Sequence, residues 1–209
     1  MTCTALLIGA TGPTGRAILA QSNAANLSLR SLARDPATLV GVPDVVRGDV
    51  LDRDSLVRAM ASVHTVICAL GTPLVLRGPV TLLSEGTRNI LGAMRSASAE
   101  RLICITGMGA GDSRGHGPFV YDRLLLPVLL GRIYVDKNRQ EALVRDSSVD
   151  WLLLRPARLT NEPENDHCRE IVEWGKERMT RVSRAAVAGF MVREVQTPRY
   201  HRQVVNLTY

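Results

Sequence analysis

Residues 4–16 read TALLIGATGPTGR, and this stretch decides the fold. The apolar run from Thr4 to Ile8 leads directly into a turn with glycines at Gly9, Gly12 and Gly15, and a helical pattern follows from Arg16. Glycines permit a tight turn and let backbone N–H groups approach a ligand, while the helix N-terminus carries a partial positive charge. The order of strand, glycine turn and helix is typical of a pyrophosphate site. A glycine turn without a ligand is the alternative.

Apolar runs of strand length recur along the chain and alternate with helix-period segments or turns, which is typical of β-α-β units. No internal repeat or low-complexity linker interrupts them, so the sequence predicts one α/β domain over residues 1–209. The predicted strands are Thr4–Ile8, Leu27–Ala33, Asp44–Arg47, Thr65–Leu70, Leu102–Thr106, Trp151–Leu154 and Val204–Thr208. The predicted helices are Arg16–Ser22, Arg53–Met60, Pro79–Ala97, Tyr121–Leu130, Asp136–Asp146 and Ser183–Glu194, the last with Ser183 as its N-cap.

The chain is basic, with a formal net charge of +6 over 209 residues. All of its basic residues except Lys137 and Lys176 are arginines, and they are scattered rather than clustered. Aromatic residues make up 4%, too few for a set of base-stacking platforms, so we expect no nucleic-acid partner. No apolar stretch approaches the roughly 20 residues of a membrane span. No charged segment precedes Leu6, and we expect a cytoplasmic protein with no membrane partner.

The tip of the second predicted strand bears on the choice of nucleotide. An arginine there suits a ribose 2′-phosphate, whereas a carboxylate suits the free 2′-hydroxyl. Arg34 stands at the tip and favours NADP over NAD, while Asp35, one residue further, is the argument for NAD. After the third strand, Asp49 and Val50 offer a polar edge and an apolar face to an adenine. A local turn formed by the Asp49 carboxylate is the alternative.

Several short motifs together carry a family resemblance that covers nearly the whole chain. They resemble the atypical short-chain dehydrogenase/reductases, and within these the flavin reductase (biliverdin reductase B) and NmrA-like NAD(P)H-binding proteins. The motifs are the Gly9–Gly15 turn, Leu32-Ala33-Arg34-Asp35, Gly48-Asp49-Val50, Ala69-Leu70-Gly71, Ser84-Glu85-Gly86-Thr87-Arg88-Asn89-Ile90, Arg155-Pro156 and Ser183-Arg184.

The resemblance implies a Rossmann-type, doubly wound parallel sheet of about seven strands in the order 3-2-1-4-5-6-7, with NADP(H) across the point where the order reverses. Residues 107–135 and 157–200 would cover the substrate side. The implied pyrophosphate contacts are Gly9, Thr11, Gly12, Pro13, Thr14 and Gly15. The other implied cofactor contacts are Arg34, Asp49, Val50, Ala69, Leu70, Gly71, Thr106, Gly107, Lys137, Pro156 and Ala157.

The catalytic positions depart from the family pattern. Short-chain dehydrogenases carry Tyr-x-x-x-Lys, but Ile133 stands four residues before Lys137 and Tyr134 only three. One residue on a helix is a rotation of about 100°, so we expect Tyr134 to point away from Lys137. Gly107 replaces a serine of the flavin reductases, which leaves Thr106 and Lys137 as the candidate catalytic residues. A helix-surface cation paired with Glu141 is the alternative for Lys137.

These departures shape the functional hypotheses. Carbonyl reduction needs a proton donor near the developing alkoxide, whereas a flat conjugated acceptor needs mainly a hydride delivered at close range. We therefore expect an NADPH-dependent oxidoreductase acting on a small-molecule acceptor such as a flavin or quinone. A non-catalytic, NmrA-like NADP(H)-binding sensor and a scaffold that keeps the nucleotide structurally are the alternatives. His116, in the glycine-rich loop, is a candidate for the substrate side and Tyr121 for a late proton donor, and a solvent-facing position is the alternative for both. The four histidines show no metal spacing, so no metal is expected.

Overall fold

The computed structural model describes residues 5–74, 78–164 and 167–209. The strands are β1 (Ala5–Ile8), β2 (Leu29–Ala33), β3 (Val45–Arg47), β4 (Thr65–Cys68), β5 (Arg101–Ile105), β6 (Asp150–Pro156), β7 (Arg158–Thr160), β8 (Arg169–Ile171), β9 (Arg181–Ser183) and β10 (Gln203–Thr208). The α-helices are α1 (Pro13–Ala24), α2 (Arg53–Ala59), α3 (Leu82–Ala97), α4 (Gly131–Arg145) and α5 (Arg184–Gln196).

Eight strands of the described residues form one sheet in the order β3-β2-β1-β4-β5-β6-β10-β8. Every neighbouring pair is parallel except β10 and β8, which run antiparallel. The Rossmann-type sheet predicted from the sequence is confirmed, with β10 as its seventh strand. The sequence did not predict β8 at the sheet edge, nor the separate pair formed by β7 and β9.

Side chains of the central strands alternate between two hydrophobic cores, one on each face of the sheet. Leu7 of β1 joins the core that contains Ile18 of α1 and Phe190 of α5. Its neighbour Leu6 joins the opposite core, which contains Leu56 of α2 and further residues of α3 and α4. Because both faces are covered, the strands carry apolar side chains in both directions, as the near-continuous runs predict.

Helix α4 continues directly from a π-helical segment at Tyr121–Leu130, so the two separately predicted helices form one continuous run. The Ser183 side chain accepts a hydrogen bond from Ala186 N, which confirms it as the N-cap of α5. No helix among the described residues combines the length and apolar character that a bilayer-crossing segment requires. The carboxyl ends of β1, β2, β4 and β5 meet along one edge, and the candidate site lies there.

Candidate functional site

The glycine turn has the geometry of an anion cradle. Gly9 has a φ of +89°, and a Cβ at this position would collide with the backbone carbonyl of Ala69 on the neighbouring chain segment. Gly12 donates its N–H to Gly9 O at 3.1 Å. It is also the N-cap residue of α1, and no side chain accepts a hydrogen bond from the N–H groups of the first helical turn. The N-terminal N–H groups of α1, including that of Thr14, therefore face the turn without a side-chain cap.

Gly15 has a packing role in addition to the cofactor contact predicted for it. A Cβ on Gly15 would collide with the Gly9 carbonyl and with the backbone of Ala10. Its missing side chain lets α1 pack directly against the turn. Gly15 is thus required for helix–strand packing, a role that sequence spacing cannot separate from ligand contact.

A cavity of about 420 Å³ opens beside the turn. Its walls come from the carboxyl ends of β1 and β2 and from the loops that follow β3 and β4. Ten of the predicted cofactor contacts line it, namely Gly9, Thr11, Gly12, Pro13, Arg34, Asp49, Val50, Ala69, Leu70 and Gly71. The sequence reasoning missed Ile8, Leu32, Ala33, Gly48, Leu51, Thr72, Pro73 and Leu82, of which most directly neighbour a predicted residue.

Arg34 and Asp35 differ sharply in their surroundings. Arg34 is exposed at the rim of the cavity, and its side chain has no hydrogen-bond or ion-pair partner among the described residues. Asp35 does not line the cavity, because its carboxylate accepts a hydrogen bond from Ala37 N at 3.1 Å and caps a short 3₁₀ turn. The guanidinium at this strand tip is thus open to an anion, while the carboxylate is engaged locally.

Asp49 lines the cavity and also forms the local turn named above as its alternative. Its carboxylate accepts from Leu51 N at 2.9 Å. Val50 is buried, and its carbonyl accepts a hydrogen bond from the Asn89 amide at 3.1 Å. Gly86 of α3 packs against the Val50 side chain. The Ser84–Ile90 motif therefore supports this apolar wall from α3.

Thr14 and Gly15, which lie on α1, do not line this cavity, and the remaining predicted contacts lie beyond it, at the ends of β5 and β6 and on α4. Lys137 of α4 donates from Nζ to the carbonyl of Thr106. Loss of hydration lowers the pKa of the Lys137 ammonium, and the nearby Cys104 and Glu141 oppose that effect. The alternative for Lys137, a surface cation paired with Glu141, is not what the structure has, because Glu141 is engaged by another cation.

That cation is Arg155, which is fully buried beneath the edge. Its Nε and Nη2 donate to the two oxygens of Glu141 at 2.9 and 2.6 Å, and Nη1 pairs with Asp112. The Thr106 hydroxyl donates to Glu141 Oε1 at 2.7 Å and is therefore part of this buried network. Of the two predicted catalytic side chains, Thr106 faces Glu141 and Lys137 contacts the Thr106 backbone.

Tyr134 does not point away from Lys137, so that prediction is wrong. A Cβ on Gly107 would lie 3.3 Å from Tyr134 Oη and 3.8 Å from Lys137 Nζ, so both side chains reach the same backbone position. Residues three apart on a helix differ by about 60° in direction and residues four apart by about 40°, so both spacings share a face. The rotation of about 100° between positions 133 and 134 therefore does not separate Tyr134 from Lys137.

The glycine-rich loop after β5 is tied to its surroundings. Met108 N donates to Pro156 O at 3.0 Å, which joins the ends of β5 and β6, and Ala157 N donates to Leu207 O at 2.8 Å. Gly111 N donates to Asn138 Oδ1 on α4 at 3.0 Å. His116 stacks on Trp174 with ring centroids 3.8 Å apart. The predicted residues Gly107, Pro156 and Ala157 thus share one wall with the loop.

This arrangement agrees with the comparisons. A family model described as NAD(P)H-binding matches residues 9–198. The chain belongs to this NAD(P)H-binding family. The match begins at the first glycine of the turn and extends past the end of α5, so it includes every predicted site residue; Ile8, which also lines the cavity, lies just before it. The resemblance drawn from the sequence motifs is confirmed at this level.

Known relatives of this NAD(P)H-binding protein include an uncharacterized chloroplastic protein of Arabidopsis thaliana, 26% identical over 165 residues that cover 74% of this chain. The chain spans 59% of the length of that relative. Among solved structures, it is similar to ChuY, an anaerobilin reductase of Escherichia coli O157:H7, with 23% identity, a TM-score of 0.83 and coverage of 98% and 96% of the two chains.

A second solved structure carries a nucleotide. It is a short-chain dehydrogenase/reductase of Veillonella parvula in complex with NADP, with 17% identity, a TM-score of 0.82 and coverage of 100% of this chain and 95% of the other. At these identities the similarity shows a shared fold. The protein thus has an NAD(P)-binding Rossmann fold of the kind found in oxidoreductases.

Proposed function

We propose that this protein is an NADPH-dependent reductase that passes a hydride to a flat conjugated acceptor such as a flavin or a quinone. The observation that carries the proposal is the cavity beside the glycine turn, which combines uncapped helical N–H groups with an unpaired arginine at its rim. Both features suit phosphate groups, and the apolar wall at Val50 suits an adenine.

Different residues of the chain bind different parts of the cofactor. In this proposal the Gly9–Gly15 turn binds the pyrophosphate through backbone N–H groups, and Lys137 donates to ribose hydroxyls. Its bond to the Thr106 carbonyl, at the end of β5, supports that role. When bound, NADPH supplies a hydride from its nicotinamide ring. The protein positions the acceptor against that ring and excludes water from it.

Arg34 makes NADPH the preferred cofactor. Its guanidinium has no partner among the described residues and lines the cavity, so it can bind a 2′-phosphate without breaking an existing interaction. Asp35, which argued for NAD, is committed to Ala37 N. Asp35 also does not line the cavity, whereas Arg34 does.

A flat acceptor follows from the residues at the end of β5. Gly107 provides no hydroxyl where a serine would stand, and the Thr106 hydroxyl is already bonded to Glu141. The Tyr134 hydroxyl and the Lys137 ammonium nearby donate to the carbonyls of Met108 and Thr106, so a simple ketone would have no uncommitted donor here for its developing alkoxide. Conjugated rings spread the incoming charge over several atoms, so close positioning contributes most of the rate.

The test is NADPH oxidation with a panel of flavins and quinones, together with direct binding of NADPH and NADH. We expect turnover with at least one conjugated acceptor, weak activity with simple aldehydes and ketones, and tighter binding of NADPH than of NADH. Tight NADPH binding without turnover on any acceptor would refute the reductase.

That outcome would favour the second candidate, a non-catalytic NADP(H)-binding sensor. The specific observation in its favour is the commitment of the Thr106 hydroxyl to the Glu141–Arg155 network together with a glycine at position 107. A sensor should bind NADPH and NADP⁺ with different affinities, and its affinity for a partner should depend on which of the two is bound. A cytoplasmic location remains a prediction for either function.

A further inference from the structure

Most of the large apolar side chains that are exposed in the described part of the chain lie on one short segment. Seven of those eleven fall between residues 119 and 135, in the π-helical segment and the residues that flank it. Six of the seven form adjacent pairs spaced five and four residues apart, namely Phe119 and Val120, Leu124 and Leu125, and Val128 and Leu129. A π-helix closes its hydrogen bonds over five residues, so this spacing returns each pair to the same side. These six residues form one apolar face.

Other side chains of the same segment fix it to the protein. Leu130 packs against a buried cluster that includes Leu83 and Ile133, and Tyr121 packs against Ala110. Because these contacts hold the segment from behind, the apolar face is turned outward, and four of its six side chains are more than half exposed. A contiguous exposed apolar patch is uncommon on soluble proteins and usually marks a binding surface.

The charges beside the apolar face are mostly positive. The stretch from Arg114 to Arg132 contains Arg123 as a third arginine and Asp122 as its single acidic residue. All three arginines are exposed, and the Arg123 guanidinium lies 5.8 Å from the centre of the Phe119 ring. Large apolar side chains on one face with arginines beside them are typical of helices that lie in the interface of a membrane.

These charges favour a lipid surface over a second copy of the chain. A two-fold axis through the apolar face would bring the arginines of both copies towards each other, and like charges repel. Anionic lipids instead offer phosphates to the arginines and acyl chains to the apolar side chains. The formal net charge of +6 adds a general attraction to a negatively charged surface.

We propose that the apolar face docks this protein on the surface of a membrane that contains anionic lipids. The six apolar side chains enter the upper part of the acyl layer, and Arg123 and Arg132 bind the phosphates above it. A helix that lies in the interface does not cross the bilayer, so docking requires no membrane span. The expectation of no membrane partner rested on the missing span, and the outward direction of this face is visible only in the structure.

Co-sedimentation of the whole protein with vesicles tests the proposal. We expect stronger binding to equal parts of phosphatidylcholine and phosphatidylglycerol than to phosphatidylcholine alone, and weaker binding to the anionic vesicles as salt increases. In Leu124→Ser/Val128→Ser the partition coefficient should fall by about tenfold or more, because two apolar side chains are lost from the docked face. Val40→Ser/Val172→Ser is the matched control, since it removes two exposed valines outside the segment and should leave binding unchanged.

Two further measurements test the charge and the orientation. Arg123→Gln should lower binding to the anionic vesicles by roughly fivefold and leave binding to phosphatidylcholine nearly unchanged. Arg58→Gln, which removes an exposed arginine on α2, should have a much smaller effect. A tryptophan introduced on the face, in Val128→Trp, should shift its fluorescence to shorter wavelength when anionic vesicles are added, whereas one introduced in Val40→Trp should not.

Several outcomes would overturn the docking surface. One is equal binding of Leu124→Ser/Val128→Ser and its control to the anionic vesicles, and another is an equal fluorescence shift in Val128→Trp and Val40→Trp. A third is failure of the unaltered protein to bind vesicles; a dimer in sedimentation velocity that Leu124→Ser/Val128→Ser abolishes would then assign the face to a second copy. All of these measurements omit nucleotide and acceptor, so they do not depend on the reductase function.

Discussion

Replacement of Arg34 by alanine tests the cofactor assignment most directly. Arg34 has no partner among the described residues, so its removal breaks no interaction within the protein, and any change in affinity reports the ligand. A charge-assisted contact contributes about 1.5–3 kcal/mol when well shielded, and solvent at the exposed rim reduces this to about 1–2 kcal/mol. That range corresponds to roughly a 5- to 30-fold rise in the Kd for NADPH. NADH, which lacks the 2′-phosphate, should change by less than about twofold.

The assay is a fluorescence titration of both nucleotides at two ionic strengths. Salt screens exposed charges, so the NADPH effect should shrink as the salt concentration rises. Arg58→Ala is the matched control, because Arg58 is an exposed arginine on α2 that lies outside the cavity, and its loss changes the net charge by the same amount. Equal weakening of NADPH and NADH in Arg34→Ala, or an equal effect in Arg58→Ala, would refute the 2′-phosphate assignment.

Three further predictions concern stability. Both Gly9→Ala and Gly41→Ala put a side chain at a positive φ, of +89° and +80°. Only the Cβ at position 9 would also collide with backbone, so we expect Gly9→Ala to lower the melting temperature far more in a thermal scan. Arg155→Met leaves the Glu141 carboxylate buried without its cation and should cost about 3–5 kcal/mol in urea unfolding. The double change Arg155→Met/Glu141→Leu should recover much of that loss; no recovery would count against the pair. Partial burial raises the pKa of Asp112, but the bond and charge of Arg155 lower it further, to below its ordinary value of 3.8. The ionised Asp112 therefore stabilises the fold above pH 3.8, and this stabilisation is lost as the pH falls through the lowered pKa. The difference in unfolding free energy between the unaltered protein and Asp112→Asn should vanish in acid. A difference that stays constant with pH would contradict the ion pair with Arg155.

The long elements of the fold could be predicted from the sequence because their patterns are strong. Helix α1 begins at Pro13, three residues before the predicted start at Arg16, since proline is well suited to the first helical position. Strands β7, β8 and β9 escaped prediction because each spans three residues with a single apolar side chain, whereas the equally short β3 has two adjacent valines. Their pairing depends on segments that the sequence alone does not bring together.

The candidate site could likewise be predicted from the sequence only in part. The position of the glycine turn beside a cavity follows from spacing, because backbone rather than side-chain direction determines it. Side-chain direction was harder, because the hydrogen-bond partners of Asp35 and Thr106 become visible only when the neighbouring backbone and Glu141 are in place. The approach of Tyr134 to Gly107 could have been found by comparing its angle with that of Lys137 rather than with that of Ile133.

The buried carboxylate of Asp136 has a consequence for the whole binding edge. Asp136 precedes Lys137 on α4, and its carboxylate accepts hydrogen bonds from Leu83 N at 2.8 Å and from the Ser84 hydroxyl at the start of α3. The first residue of α3, Leu82, lines the cavity beside the glycine turn. One side chain thus ties the start of α3, which carries Leu82 at the cavity, to α4, which carries Lys137 at the end of β5. Any movement of α3 against the cavity would therefore have to break a buried, hydrogen-bonded carboxylate or carry α4 with it.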